Sequence, residues 1–367
     1  MNYAFLLPTL SLGGGERFIS EISQYLGKKN KKHFILIIYD NIEYTIGNSA
    51  ELIILYKNPI ITKIPKIRYL YLLFRLWKSV KENKVDLLFC GLDSCSRLSY
   101  HLKKFLFPSI KLINICQNNL TNKFSLHKRK EILHYYNYAE KVFACSEGVN
   151  NSLINEGYTK KNLFTIPNCV DTEKNKKYLK KVFNNINTYD NQKIKIVTVG
   201  SLIRQKNHNL LIEFVYKIIK LGFNCEVNII GDGQLRKELE KTILNLNLNS
   251  IINLVGWKSG SEYFEKLSEH HLFIMTSIYE GLPLAMLEAM SIGLPILSTD
   301  CDSGPREVLH NGEFGKLAPI NDPNELVNSF ISINKDLMKF HILSKQRISK
   351  YDRNKIAKDF ISLSGIH

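Results

Sequence analysis

Short apolar runs alternate along the chain with longer stretches in which apolar positions recur at three- and four-residue spacing. The runs near Tyr3–Pro8, Phe34–Tyr39, Val85–Gly91, Ile110–Ile115, Lys141–Cys145 and Leu163–Ile166 predict strands in the first half. Those near Lys195–Gly200, Cys225–Gly231, Ile252–Val255, Leu272–Met275 and Pro295–Ser298 predict strands in the second. Helical spacing intervenes, as in Glu16–Leu26, Ser94–Phe105, His208–Ile219, Leu235–Leu246 and Leu284–Ser291. Strands apolar on both sides, separated by amphipathic helices, predict α/β domains whose parallel sheets are covered on both faces.

Two such domains are expected in 367 residues. The boundary is placed at 171–192, polar and rich in Asn and Lys, which reads as a linker. Residues 1–170 form the first domain and 193–349 the second, with a last helix at about 350–364 expected to pack back on the first. Each domain reads as doubly wound, and such sheets bind ligands beyond the carboxyl ends of their strands.

Composition narrows the classes. A hydrophobic share of 44% argues against disorder. The net charge of +16 points to an anionic partner, and it is uneven. Residues 1–170 hold 24 basic and 12 acidic side chains, against 26 and 22 in 171–367. The seven cysteines form no C-x-x-C pair, which reads as reduced thiols and a cytoplasmic setting. The start, Met1 to Pro8, lacks a basic segment and reads as a buried strand, not a signal peptide. No apolar stretch is long enough to span a bilayer; Ile67–Trp77 is broken by Arg68 and Arg75.

Two turns carry candidate chemistry. Ser11-Leu12-Gly13-Gly14-Gly15-Glu16-Arg17 joins a strand to a helix, where glycines let backbone N–H groups approach an anion or a sugar. Thr276 to Ala289 follows another strand. Gly281 frees the loop, Pro283 suits a helix start, and the amides of Leu284 to Met286 would point at a diphosphate. Glu280 stands at the strand edge and Glu288 one turn into the helix, each able to accept hydrogen bonds from sugar hydroxyls. On spacing alone, this second segment reads equally as a helix start with two solvated glutamates.

The Glu280–Glu288 spacing resembles the E-x7-E motif of the retaining glycosyltransferases of family 4, which share the GT-B fold of two facing Rossmann-like domains. Other segments resemble that family in order. Gly13-Gly14-Gly15-Glu16-Arg17 is similar to its G-G-A-E-R loop, and Ile166-Pro167-Asn168-Cys169-Val170-Asp171 to I-P-N-G-V-D. Val199-Gly200-Ser201-Leu202 with Gln205-Lys206-Asn207 resembles V-G-R-L…Q-K-G. Gly231-Asp232-Gly233-Gln234-Leu235-Arg236 resembles G-D-G-P-L-R, Val255-Gly256 the F-x-G step, and Asn311-Gly312-Glu313-Phe314-Gly315 N-G-E-N-G.

The resemblance implies a hexosyltransferase that moves a hexose or N-acetylhexosamine from a UDP-sugar to a lipid-linked or surface-glycan acceptor, as in capsule or O-antigen assembly. Glu288 would hold the nucleotide ribose and Glu280 a sugar hydroxyl. Lys206 would neutralise the diphosphate. Gly14 and Gly15 would line the phosphate–sugar site, and Val255 and Gly256 the base edge. Gly281, Leu282, Leu284 and Ala285 complete the donor set. Two departures stand out. Ser201 occupies a place where the family commonly has arginine, and Arg204 is either its replacement or a plain loop cation. Cys116-Gln117-Asn118-Asn119 stands where a histidine often lies over the donor sugar. Gln117 can hydrogen-bond the sugar but cannot take a proton, and nearby His127 reads as a surface helix residue. Front-face transfer tolerates that loss, since the leaving diphosphate helps deprotonate the acceptor and the protein stabilises its growing charge.

Asp300-Cys301-Asp302 spells D-x-D, a metal motif of the other glycosyltransferase fold, yet it falls after the last expected strand; no metal or other cofactor is expected. The following Ser303-Gly304-Pro305-Arg306-Glu307 resembles the G-P-R-E run of members that build bacterial surface glycans. Lys63, Lys66, Arg68, Arg75, Lys78 and Lys81 flank Tyr69, Leu70, Leu72, Leu73, Phe74 and Trp77, with Lys123, His127, Lys128, Arg129 and Lys130 as a second basic cluster. This pattern fits an anionic membrane surface on the inner face of the plasma membrane, and equally a core-facing helix with solvated lysines. Two rivals remain: a degenerate, non-catalytic scaffold, and a basic nucleic-acid-binding protein. The second is disfavoured because no recognisable RNA-binding motif occurs. Sequence leaves the oligomeric state open.

Overall fold

The computed structural model describes residues 1–11, 13–56, 64–159, 161–190 and 192–366. Leu12 of the glycine-rich turn and Lys63 of the basic stretch lie outside the described residues. The chain divides into two units, Met1–Cys169 with Arg353–His367, and Val170–Asp352.

The first unit is built on strands β1 (Asn2–Leu7), β2 (His33–Ile37), β3 (Ala50–Ile54), β4 (Val85–Cys90), β5 (Lys111–Cys116), β6 (Lys141–Ala144) and β7 (Leu163–Thr165). All pair in parallel in the order β3-β2-β1-β4-β5-β6-β7. Side chains alternate across a strand, so β1 feeds two cores. Tyr3, Phe5 and Leu7 meet Phe18 and Ile22 of the helix Gly14–Lys28 and Phe360 of the last helix, Arg353–Ser364. Ala4 and Leu6 meet Leu72, Leu76 and Val80 of the helix Pro65–Glu82. The last helix is thus part of this unit. The Phe360 ring lies 5.0 Å from Phe89 and 5.5 Å from Phe143, and buried Arg353 donates to Glu21 Oε2 at 3.0 Å.

The second unit is built on β8 (Ile194–Val199), β9 (Cys225–Ile230), β10 (Ile252–Gly256), β11 (Leu272–Met275), β12 (Ile296–Thr299) and β13 (Lys316–Ala318). They pair in parallel in the order β10-β9-β8-β11-β12-β13. In each sheet the strand order reverses once, at β1/β4 and at β8/β11. Loops leaving those two strands diverge, which opens a crevice at the carboxyl edge.

Three expectations are corrected. Strand β3 is only half-buried and carries Glu51 among its apolar residues, which blurs the run. Strand β13 is three residues long, too short for periodicity to register. It follows Asp300–Asp302, so that segment does not lie beyond the last strand. The stretch 171–192, expected as a linker, holds the helix Thr172–Asn187. Asp171 caps it by accepting from the Lys174 N–H at 3.1 Å. Its buried stripe Asn175, Tyr178, Val182 and Ile186 packs on the second unit, with Tyr178 stacked on Phe264 at 5.5 Å. Lysines and asparagines on the other faces hide that helical spacing in the sequence.

Three histidines of this unit are buried in neutral form. His270 Nε2 lies 2.8 Å from the Asn228 amide nitrogen and Nδ1 2.9 Å from the Lys266 carbonyl, which assigns Nε2 as acceptor and Nδ1 as donor. His271 Nδ1 accepts from the Lys195 N–H at 3.1 Å. Burial pushes His208, His270 and His271 each down to about 4. In the unfolded chain they titrate near 6.5 and bind more protons between these values than the folded protein does. Stability is therefore full above about pH 6.5 and falls as pH drops towards 4. Thermal melts are expected to hold a constant Tm near pH 7–8 and lose it steadily from about pH 6.5 to 4.5; a flat profile there would refute neutral burial of these rings.

Candidate functional site

The carboxyl edge of the second sheet is knitted by close backbone approaches. A Cβ on Gly231 would lie 2.0 Å from the Gly200 oxygen, and one on Gly233 2.7 Å from the Leu202 oxygen. Only glycine permits those contacts. The loops are then tied by Leu202 N–H to the Asp232 oxygen at 2.9 Å, Leu235 N–H to the Leu202 oxygen at 3.0 Å, and Gly231 N–H to the Gly256 oxygen at 3.0 Å. Ser201, Val255 and Gly256 sit half-buried along this edge. Arg204 is exposed and makes no ion pair or side-chain hydrogen bond among the described residues.

Lys206 and Glu280, 74 positions apart, meet across the β8/β11 crevice. Lys206 Nζ lies 2.6 Å from Glu280 Oε1, and the Ser277 hydroxyl donates to the same oxygen at 2.6 Å. Glu280 is buried and the Lys206 side chain is 22% exposed, so the pair is sheltered while the ammonium still reaches solvent. The two loops are bound together around the pair. Gln205 Nε2 donates to the Tyr279 oxygen at 2.9 Å, Ile278 N–H to the Gln205 oxygen at 2.8 Å, and the Thr276 hydroxyl to the Lys206 oxygen at 3.0 Å. Asn207 takes φ +47°, the left-handed turn from which the helix His208–Lys220 departs. Lys206 carbons lie 3.2–3.3 Å from where a Gly200 Cβ would stand, so that glycine also makes room for the lysine stem.

Beyond Glu280, Gly281 and Leu282 are buried and Pro283 caps the helix Leu284–Ser291. The Met286 N–H donates back to the Pro283 oxygen at 3.1 Å. This corrects the expectation that all three amides from Leu284 to Met286 point outward. Those of Leu284 and Ala285 donate to no carbonyl among the described residues, as expected of a first helical turn. Glu288 is half-buried and accepts from the Tyr263 hydroxyl at 2.8 Å. Behind the loop, Gly304 at φ +82° lies against Pro283 and Gly281. Asp300 binds the Arg306 guanidinium through both carboxylate oxygens, with Nε at 2.9 Å. Burial and neighbouring Glu280 push the Cys301 thiol up.

The first unit places Gly14 and Gly15 at the start of the helix after β1, and Gln117 after β5. Gly14 faces open space, whereas a Cβ on Gly15 would lie 2.5 Å from Leu92 and 3.2 Å from Gln117. Gln117 is buried, and its Nε2 has no hydrogen-bond partner among the described residues. Glu16 folds its carboxylate into the space beside Gly13 and accepts from Thr9 at 3.4 Å. The helix start is therefore partly complemented by its own carboxylate, and burial raises that carboxyl's pKa. Asp93 accepts from the Tyr136 hydroxyl and from Asn118 Nδ2 at 3.2 Å. His127 is exposed on the helix Leu126–Tyr136. Among residues not anticipated from sequence, Ser277, Tyr263, Asp93 and Tyr136 hold or neighbour anticipated ones; their spacing carries no periodic signal, and only packing joins them.

Two family models match the chain: the description "Glycosyltransferase Family 4" over residues 12–174 and "Glycosyl transferases group 1" over 180–355. The N-acetylgalactosamine-N,N'-diacetylbacillosaminyl-diphospho-undecaprenol 4-alpha-N-acetylgalactosaminyltransferase of Campylobacter jejuni is 26% identical over 96% of both chains. The UDP-Gal:alpha-D-GlcNAc-diphosphoundecaprenol alpha-1,3-galactosyltransferase of Escherichia coli is 32% identical over 53% of this chain and 49% of that one. The crystal structure of Anabaena HepE in complex with UDP and glucose superimposes with a TM-score of 0.82 over all of both chains, at 17% identity. The fold is GT-B, two Rossmann-like α/β units. The chain belongs to the GT-B glycosyltransferases of the family 4 type.

Gly304→Ala tests the brace behind the helix start. The new Cβ would meet Pro283 Cδ at 2.6 Å and the Gly281 oxygen at 2.8 Å, at a φ that L residues rarely adopt. A loss of about 1–3 kcal/mol is expected, read as a Tm lowered by several degrees; an unchanged Tm would show that this loop yields freely.

Proposed function

We propose that this protein is a retaining hexosyltransferase that moves a hexose or N-acetylhexosamine from a UDP-sugar to a lipid-linked or surface-glycan acceptor. The observation that carries the reading is the Lys206–Glu280–Ser277 cluster beside the free amides of Leu284 and Ala285. A cation and two helix-start N–H groups suit a diphosphate, and a fixed carboxylate suits a sugar hydroxyl. Supporting it, HepE was crystallised with UDP and glucose, and the two relatives above are named for transfer onto diphosphoundecaprenol-linked sugars.

In this mechanism Glu288, fixed by Tyr263, binds the ribose, and Val255 and Gly256 present backbone to the base. Ser201, Gly281 and Leu282 line the phosphate and sugar. Arg204 supplies the second phosphate cation in place of the absent arginine. Glu280 grips a donor-sugar hydroxyl, its geometry set by the bonds from Lys206 and Ser277. Lys206 stabilises negative charge growing on the leaving diphosphate as the glycosidic bond breaks, and the acceptor proton passes to that diphosphate. Gln117 is assigned to the sugar through its unpartnered Nε2, with Gly14 and Gly15 keeping the strand-to-helix turn open beside it. Transfer is read as metal-independent, because both oxygens of Asp300 are already engaged by Arg306.

Lys206→Ala is expected to lower kcat by about 10²–10³-fold with circular dichroism unchanged, the scale for removing one charge-stabilising donor. Near-normal turnover would take Lys206 out of the mechanism. Glu288→Ala is expected to weaken UDP binding at least tenfold by calorimetry, while unchanged affinity would exclude the ribose role. A thermal-shift panel of nucleotide-sugars identifies the donor, since a ligand that binds only the folded state raises Tm by mass action.

A further inference from the structure

The carboxylate assigned to the ribose is held from outside its own helix. Glu288 is half-buried on the helix Leu284–Ser291, and its Oε2 accepts from the Tyr263 hydroxyl at 2.8 Å. Tyr263 lies on the helix Gly260–Leu267, which begins just past Gly256 at the end of β10. One short stretch of chain therefore carries both the backbone assigned to the base and the hydroxyl that fixes the carboxylate assigned to the ribose. Tyr263 is 7% exposed, and its ring packs edge-on against Phe264 at 5.1 Å.

That hydroxyl is itself firmly placed. Phe264 stacks on Tyr178 of the helix Thr172–Asn187, with 5.5 Å between ring centroids and 18° between planes. The same helix holds the other side of the bond. Buried Asn175 donates through Nδ2 to the Ser291 hydroxyl at 2.8 Å, and Ser291 donates to the Glu288 carbonyl at 2.6 Å. One helix thus anchors both the donor and the acceptor of the Tyr263–Glu288 bond. A vicinal diol can donate to both oxygens of a carboxylate only where that carboxylate stands in one orientation, and a group fixed beforehand loses little freedom on binding. Fixity also creates selectivity. A nucleotide that lacks one hydroxyl leaves a carboxylate oxygen short of a hydrogen bond, and a carboxylate that cannot turn does not recover that bond from water. A carboxylate free to turn would recover it and discriminate less.

We infer that Tyr263 is a positioning residue that makes the second unit selective for a nucleotide with both ribose hydroxyls, by fixing Glu288 in the orientation that accepts from them. Tyr263 acts through Glu288 and not on the reacting atoms. The proposal rests on the ribose reading of Glu288 and adds the residue that turns a ribose contact into ribose selectivity.

The test is calorimetry of the full chain with UDP and with 2′-deoxy-UDP. The unsubstituted protein is expected to bind UDP about tenfold or more tightly than the deoxy compound, the scale of one hydrogen bond to a charged group. Tyr263→Phe keeps the ring and its packing on Phe264 and removes only the hydroxyl. It is expected to weaken UDP several-fold and leave 2′-deoxy-UDP nearly unchanged, so that the ratio of the two affinities falls. An unchanged ratio, whether both nucleotides weaken together or neither does, would overturn the proposal, because a merely structural role moves both alike. Glu288→Ala is expected to erase the preference for UDP outright. A preference kept in full by Glu288→Ala, or absent from the unsubstituted protein, would overturn the ribose reading itself and this proposal with it. A preference lost in Glu288→Ala but kept in Tyr263→Phe would overturn this proposal alone.

Discussion

The Lys206–Glu280 ion pair is the point on which the second unit's site turns. Its partners come from loops on either side of the β8/β11 reversal, so the pair exists only because a parallel sheet delivers both strand ends to one edge. The pair is also the reason those loops are so closely bound. An ammonium beside a buried carboxylate gains from a fixed, partly desolvated geometry, and Ser277, Thr276 and Gln205 supply the hydrogen bonds that fix it. Glycines at 200, 231 and 233 let the backbones approach near enough for this to happen.

The first unit solves a different problem. Its β1/β4 reversal is lined by Gly15, Leu92, Asp93 and Gln117, packed so that Gln117 presents a buried amide nitrogen with no partner among the described residues. Burying an unmatched donor is costly, and such a group within a well-packed edge is a natural place for a ligand to supply the acceptor. The same unit carries most of the chain's net positive charge. The Lys206–Glu280 pair lies on the other unit.

Relatives named for diphosphoundecaprenol-linked substrates set this division in context. Among the described residues no helix is long and apolar enough to cross a membrane.

The sequence by itself determined the alternation of strands and helices, the order of the family's motifs and the identity of the charged residues. These are local properties, written in spacing over a few residues. Packing decided the rest. The segment 171–192 looked like a linker because polar faces outnumber the buried stripe Tyr178–Val182–Ile186, and only the partner Phe264 shows which face is inside. Strands β3 and β13 are set by pairing with β2 and β12, not by their own pattern. Glu280 and Glu288 were legible as a motif, yet Tyr263, which holds Glu288 from 25 residues away, was not, since a hydrogen bond between distant residues leaves no trace in sequence, and Ser277, three residues before Glu280, carries no pattern that marks its bond. The helix Pro65–Glu82 shows the same limit: only burial tells core-facing Leu72 from exposed Leu70.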